Sequence, residues 1–205
     1  IKAVRYGVTR NQVYAVQIVT PYGDIVDLGS PLKKCSTGYC MEQLVIGSEG
    51  TLGIITQVTL KLQPLPPYKI DMLAIFHDQM AAIGVVPQLV KAGIDPTSIE
   101  YMDNPNVRTT SEYLEFPGAP HIEDGIYVII TIETFNEDEL DMKMEQASDI
   151  CEAAGAVDVL EADERIWSMR RNCLESVSLI SKVCTTDDVV VPVDEMSDMI
   201  QYIIK

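Results

Sequence analysis

Residues 44–56 read LVIGSEGTLGIIT: an apolar run, a loop with glycines at 47, 50 and 53 around one carboxylate, then a β-branched run. Glycine loops that cradle nucleotides ordinarily join a strand to a helix, whose N-terminal N–H groups face the phosphates. Here ITQVTLKL follows, and Ile55, Val58, Leu60 and Leu62 mark one side of a strand, with one slip near Thr56 and Gln57 that a bulge accounts for. The pattern predicts a loop between two strands. It excludes the G-x-G-x-x-G fingerprint, which opens a helix, and the Walker A loop, which needs a lysine absent here. Each glycine costs about 0.5–1 kcal/mol of backbone entropy relative to alanine. Such a concentration suits either a tight turn or a ligand approaching bare backbone. Glu49, in the middle, is expected to turn aside onto backbone amides or a neighbouring cation.

Upstream, VYAVQIVT (13–20) and DIVDL (24–28) flank Pro21-Tyr22-Gly23 and predict a hairpin, preceded by a strand-like YGVTR (6–10). Downstream, QPLPP (63–67) is a stiff connector. The charge changes there too: residues 1–66 carry a net +2 and residues 67–205 a net −18. Composition and linker together predict domains over 1–66 and 67–205. The acidic second part argues against nucleic acid and anionic lipid as partners.

Beyond the connector, KIDMLAIF (69–76) reads as a strand, and Asp78–Lys91 as a helix closed by Gly93 despite Pro87 within it. SIEYMD (98–103) is strand-like, and a long proline-containing loop is expected to follow. IYVIITIETF (126–135) is the strongest strand signal. Asn136 and Glu139 form a capping-box pair, and Leu140, Met144, Ala147, Cys151 and Ala154 keep helical spacing up to Gly155. VDVLEA (157–162) completes a βαββαβ order. The expected fold is α+β: a four-stranded antiparallel, ferredoxin-like sheet with helices on one face.

No apolar run reaches the ~18–20 residues of a membrane span. Five scattered cysteines lack zinc-type spacing and suit reduced thiols, hence a cytoplasmic location. Ile1 at the start, and the apolar face of Met196, Met199, Ile200 and Ile203 without a stop signal at the end, read as a piece of a longer protein.

TGYCMEQLVIGSEGTLGIITQVTLKLQPLP (37–66) resembles the second half of the flavin-binding domain of FAD-linked oxidases related to vanillyl-alcohol oxidase. VRYGVTRNQVYAVQIVTPYGDIVDLG (4–29) is similar to the same family, in the branch of the glycolate oxidase FAD subunit, D-lactate dehydrogenase and D-2-hydroxyglutarate dehydrogenase. SIEYMD, RIWSMRRN (165–172) and DDVVVP (187–192) resemble landmarks of its substrate-side cap domain. The resemblance implies the C-terminal part of a two-subdomain, PCMH-type FAD-binding domain followed by a ferredoxin-like βαββαβ cap. It implies that FAD lies along a sheet, contacted by Gly47, Ser48, Glu49, Gly50, Thr51, Gly53, Ile54 and Ile55, with Tyr6 and Gly7 upstream. The family's earlier pyrophosphate loop and later histidine segment have no counterpart here. His77 and His121 match neither, so a structural or solvent-facing role is expected for both, with no metal site.

Asp163 starts a helix in which Trp167 and Arg170 share a face, so the ring is expected to support the guanidinium. Arg171 and Glu175 are spaced for an ion pair. A guanidinium fork suits a 2-hydroxy acid because it binds a carboxylate bidentately and keeps its charge. The resemblance implies that Arg170 binds the substrate carboxylate. Thr186 stands where dicarboxylate-specific relatives have lysine, and Leu174 where they have threonine, which favours a small monocarboxylate. The implied activity is oxidation of D-lactate or glycolate to the 2-oxo acid. Electrons would leave to an electron-transfer flavoprotein, an iron–sulfur subunit or a quinone chain, and a homodimer is left open. The alternative is a non-catalytic ferredoxin-like ligand-binding or subunit-interaction module.

Overall fold

The computed structural model describes residues 2–204. The chain divides into two compact units, Tyr6–Leu65 and the residues from Pro66 onward, with Ala3–Arg5 grouped with the second.

In the first unit, YGVTR is not a strand. A helical turn, α1 (Ala3–Tyr6), and a 3-10 turn over Thr9–Gln12 occupy this stretch. Gly7 takes φ +71°, and Asn11 Oδ1 accepts a hydrogen bond from Val8 N at 3.0 Å. A short polar side chain thus satisfies the backbone locally and removes it from competition for a sheet. The predicted hairpin is present as β1 (Val13–Val19) and β2 (Ile25–Gly29), antiparallel, with Gly23 at φ +89° in its turn.

A short helix, α2 (Met41–Val45), replaces the expected strand before the glycine loop. Its Met, Glu, Gln and Leu are good helix formers, and the helix buries Val45 against Val13, Val16 and Ile18 of β1. β3 (Ile54–Leu60) pairs with β1, giving the order β2-β1-β3. Gln17 lies opposite Gln57 but Ile18 opposite Ile55, so Thr56 is the extra residue of a bulge, where the sequence slips phase. β3 is an edge strand with every residue exposed.

The second unit is a ferredoxin-like sheet of β4 (Tyr68–Phe76), β5 (Ser98–Met102), β6 (Ile126–Thr134) and β7 (Asp158–Glu161) in the order β5-β6-β4-β7, all antiparallel. α3 (Gln79–Lys91), capped by Asp78 and passing through Pro87, and α5 (Glu137–Ala153), capped by Asn136, are the two crossover helices. They pack on Met72, Ala74, Phe76, Val128, Ile130 and Ile132.

Helices cover both faces, not one. The opposite face, Leu73, Ile75, Tyr127 and Ile129, lies under α4 (Asn104–Tyr113) and α6 (Glu164–Arg171), which bring Val107, Ile166 and Met169 to it. Two-sided cover explains why β6 is buried at all nine positions and is apolar on both faces from Ile126 to Ile130. α4 occupies part of the stretch expected to be loop. Its Asp103 accepts from Asn106 N, and Pro105 sits in its first turn, where a missing N–H costs nothing. α7 (Cys173–Ser176) and α8 (Met196–Ile204) follow, the latter along the apolar face read near the end of the sequence. No helix among the described residues is long and apolar enough to cross a membrane.

Candidate functional site

The glycine loop of the first unit runs from α2 into β3. Ser48 O accepts from Thr51 N at 3.0 Å and from Thr51 Oγ1 at 2.6 Å, closing a turn in which Glu49 and Gly50 have φ of +52° and +79°. Two of the three glycines have reasons within the protein. A Cβ at Gly53 would lie 2.9 Å from Val19 O, so glycine admits close strand packing; one at Gly47 would lie 2.9 Å from Arg10 Nη2. Arg10 reaches across to donate to Ile46 O, and Gln43 Nε2 donates to Arg10 O at 3.4 Å, tying the segment after Gly7 to the loop.

Gly50 differs. A Cβ there would meet only Ile54 Cδ1, at 3.8 Å, so open space adjoins the main chain. The neighbouring Glu49, Thr51 and Leu52 are exposed and Ser48 is half-buried, while Ile55 and Ile54 are also exposed, the latter at 62 %. Among the described residues no hydrogen bond or ion pair reaches the Glu49 carboxylate, contrary to the expectation that it turns onto amides or a cation. Open main chain beside uncovered aliphatic side chains fits a flat cofactor, with Gly50 as the bare point. Gly7 has its own local cause: a Cβ there would lie 2.6 Å from Asn11 Oδ1. Tyr6 contributes its carbonyl to Gln12 Nε2.

In the second unit, the face that carries α4 and α6 turns polar toward one end. Ser98 Oγ donates to Thr131 Oγ1 at 3.0 Å, Thr131 Oγ1 donates to Asp71 Oδ1 at 2.6 Å, and Asp71 Oδ2 pairs with Lys69 Nζ at 2.7 Å, a ladder across β5, β6 and β4. Glu100 on β5 lies between this ladder and the apolar patch around Met102 and Tyr127. Arg170 on α6 reaches it, with Nε and Nη2 at 2.9 and 2.7 Å from Glu100 Oε2. The Glu100 side chain is 8 % exposed and that of Arg170 33 %, so a buried carboxylate holds a guanidinium that still meets solvent. Cys173 adjoins the pair. Burial pushes its thiol up, opposed by the Arg170 guanidinium.

α6 starts where Asp163 accepts from Arg165 N and Ile166 N at 2.9 and 3.1 Å. Trp167 does not support Arg170: the cation over a ring in this region is Arg165, 4.7 Å from the Phe116 centroid. Trp167 Nε1 is buried and has no acceptor among the described residues. Arg171 pairs with Glu164, not Glu175. Glu100 is the residue that sequence reasoning missed. An acid alternating into a strand was its only signal, and its partner lies on a helix far along the chain. His77 and His121 come together, with ring centroids 5.7 Å apart.

An α+β unit with ferredoxin-like strand order and an arginine held on its sheet by a buried acid, and, in the other unit, a glycine loop leading into a three-stranded sheet, together define the class. Residues 65–205 match the family described as FAD linked oxidases, C-terminal domain, and the chain belongs to it. It is 36 % identical to a D-lactate dehydrogenase of Anaerostipes hadrus, over 98 % of this chain and 44 % of that protein. It is 32 % identical to the glycolate oxidase subunit GlcD of Bacillus subtilis, over 99 % of this chain and 44 % of that protein. The chain thus spans less than half the length of these relatives. Among solved structures, an alkyldihydroxyacetonephosphate synthase superposes on 87 % of this chain and 35 % of its own with a TM-score of 0.64 at 21 % identity, which shows a shared fold.

Proposed function

We propose that this chain belongs to an FAD-dependent oxidoreductase that converts a small D-2-hydroxy acid, D-lactate or glycolate, to the 2-oxo acid. The observation that carries the reading is Arg170: a guanidinium fixed by a buried acid, one third exposed, at the polar end of the sheet face. Glu100 occupies the Nε–Nη2 edge, which pre-orients the fork at little further entropic cost. Trp167 Nε1, one helical turn away and without an acceptor, is a second donor for an anionic substrate. Leu174 and Thr186 offer no cation for a second carboxylate, in keeping with a monocarboxylate.

FAD, when bound, supplies the two-electron redox chemistry. The chain's own share is orientation and burial. Gly50 gives it bare main chain, Ser48 and Thr51 shape the turn, and Leu52, Ile54 and Ile55 offer apolar surface. An electron-transfer flavoprotein or iron–sulfur subunit remains a proposal for the acceptor.

The test is Arg170→Lys in the full-length enzyme. It is expected to lower kcat/KM for D-lactate and glycolate by about 10²-fold, since a lysine cannot reproduce the fork, while flavin content and fold persist. A second reading, favoured by the ion pair itself, is that Arg170 only neutralises Glu100 in a non-catalytic module. In that case Arg170→Lys loses stability and leaves turnover unchanged.

A further inference from the structure

Four side chains with no part in the foregoing meet at one end of the four-stranded sheet. His77 follows the last residue of β4, His121 and Asp124 stand in the turn before β6, and Asp158 opens β7. The register brings them together, because Phe76 pairs with Ile126 and Ile75 with Asp158. His77 Nε2 lies 3.4 Å from Asp124 Oδ1, and His121 Nε2 lies 3.7 Å from Asp158 Oδ2. Donor atoms of His77, His121 and Asp124 all fall within 4.8 Å of one another.

A tetrahedral ion with ligands at about 2.0–2.1 Å places neighbouring donors roughly 3.3 Å apart. The His77–Asp124 separation already has that value, and side-chain rotation of surface groups closes the rest. His121 is held for the purpose. Its backbone is left-handed, at φ +46°, uncommon without glycine. Gly125 N donates to its carbonyl at 2.6 Å, and a Cβ at Gly125 would collide with the same oxygen at 2.6 Å. The turn therefore closes tightly on the His121 main chain and fixes where its side chain departs.

We propose that His77, His121 and Asp124 form a binding site for a divalent transition cation of the imidazole-preferring kind, such as Zn²⁺. Two imidazoles and one carboxylate select such an ion over Mg²⁺ or Ca²⁺, which take oxygen ligands. With the ion on His121 Nδ1, Nε2 remains for Asp158, which fixes the ring and its tautomer. The bound ion clamps the end of β4, the turn before β6 and the start of β7. It serves the fold of this unit and stands apart from the Arg170 face.

This chain contains only two histidines, and both lie in the site. Imidazole-selective ¹H–¹⁵N NMR of the full chain during titration with Zn²⁺ therefore reads the site directly, with lines assigned by their loss in His77→Ala and His121→Ala. Both imidazoles are expected to shift together and saturate at one ion per chain. Either substitution is expected to weaken Zn²⁺ binding more than about tenfold by calorimetry, and Asp158→Asn about tenfold. Shifts at one imidazole or neither, or calorimetric binding that survives both histidine substitutions and so belongs to the thiols, overturns the proposal.

Discussion

Trp167 and Gly50 carry the sharpest expectations at the scale of single residues. A buried donor without an acceptor costs about 1–3 kcal/mol. Replacing Trp167 by phenylalanine is therefore expected to leave the urea midpoint unchanged or raise it, while KM for D-lactate increases several-fold in the full-length enzyme. A merely structural tryptophan would instead lose stability with KM intact. The glycines divide in the same way. Gly53→Ala drives a Cβ toward Val19 O and is expected to destabilise the first unit by about 2 kcal/mol. Gly50→Ala meets open space and costs about 1 kcal/mol for its positive φ alone, yet it is expected to reduce FAD retention more than Gly53→Ala does per unit of stability lost. Flavin absorbance beside denaturation curves for both variants checks the ordering. The sequence marks all three glycines alike; which of them face the protein and which face open space depends on Val19 and Arg10, residues brought near by pairing and by a side chain crossing the loop.

At the scale of elements, α6 is the piece on which the substrate reading depends, and Asp163 anchors it. The Arg165 side chain, followed by the N–H groups of Ile166 and Arg165, holds its carboxyl below the usual carboxylate range. Because the folded value is depressed, the stabilisation is complete above the ordinary value of about 3.9 and disappears as pH falls through the lower folded value. Asp163→Ala is expected to cost about 1 kcal/mol at pH 7 and progressively less as the pH falls below the ordinary carboxylate range, read from denaturation across an acid pH series. Cap signals of this kind were legible: Asp78, Asn136 and Asp163 stand at observed helix starts. Asp103-Asn104-Pro105 carries the same signal, but three prolines between Asn104 and Ile126 give the stretch the look of a loop and hide α4. α2 escaped for the opposite reason. Its apolar end, Leu44-Val45, with Ile46 just beyond it, is too short for periodicity to separate helix from strand.

At the scale of the whole chain, buried ionisable groups set an alkaline limit. Burial, with Glu152 adding to it, pushes the Cys151 thiol from an ordinary 9.0 up to about 12, and burial raises Tyr101 to about 12. The folded state keeps these protons where the unfolded chain has lost them. Stability from Cys151 is thus complete below pH 9 and is lost as pH climbs toward 12. Denaturation midpoints at pH 8, 10 and 11 are expected to fall steadily, and Cys151→Ala to flatten that slope. At pH 8 a thiol reagent is expected to modify exposed Cys35, Cys40 and Cys184 quickly and Cys151 only on unfolding.

The sequence alone determined the strands of both sheets, the helices α3, α5, α6 and α8, the βαββαβ order and the bulge at Thr56. Each rests on periodicity, capping or turn chemistry spanning a few residues, which chain-local physics decides. Tertiary structure decided what depends on residues distant along the chain. It placed helices on both faces of the sheet, paired Arg170 with Glu100, left the Trp167 donor without an acceptor and joined His77 to His121. Such meetings follow from strand register and helix packing, and no local pattern records them.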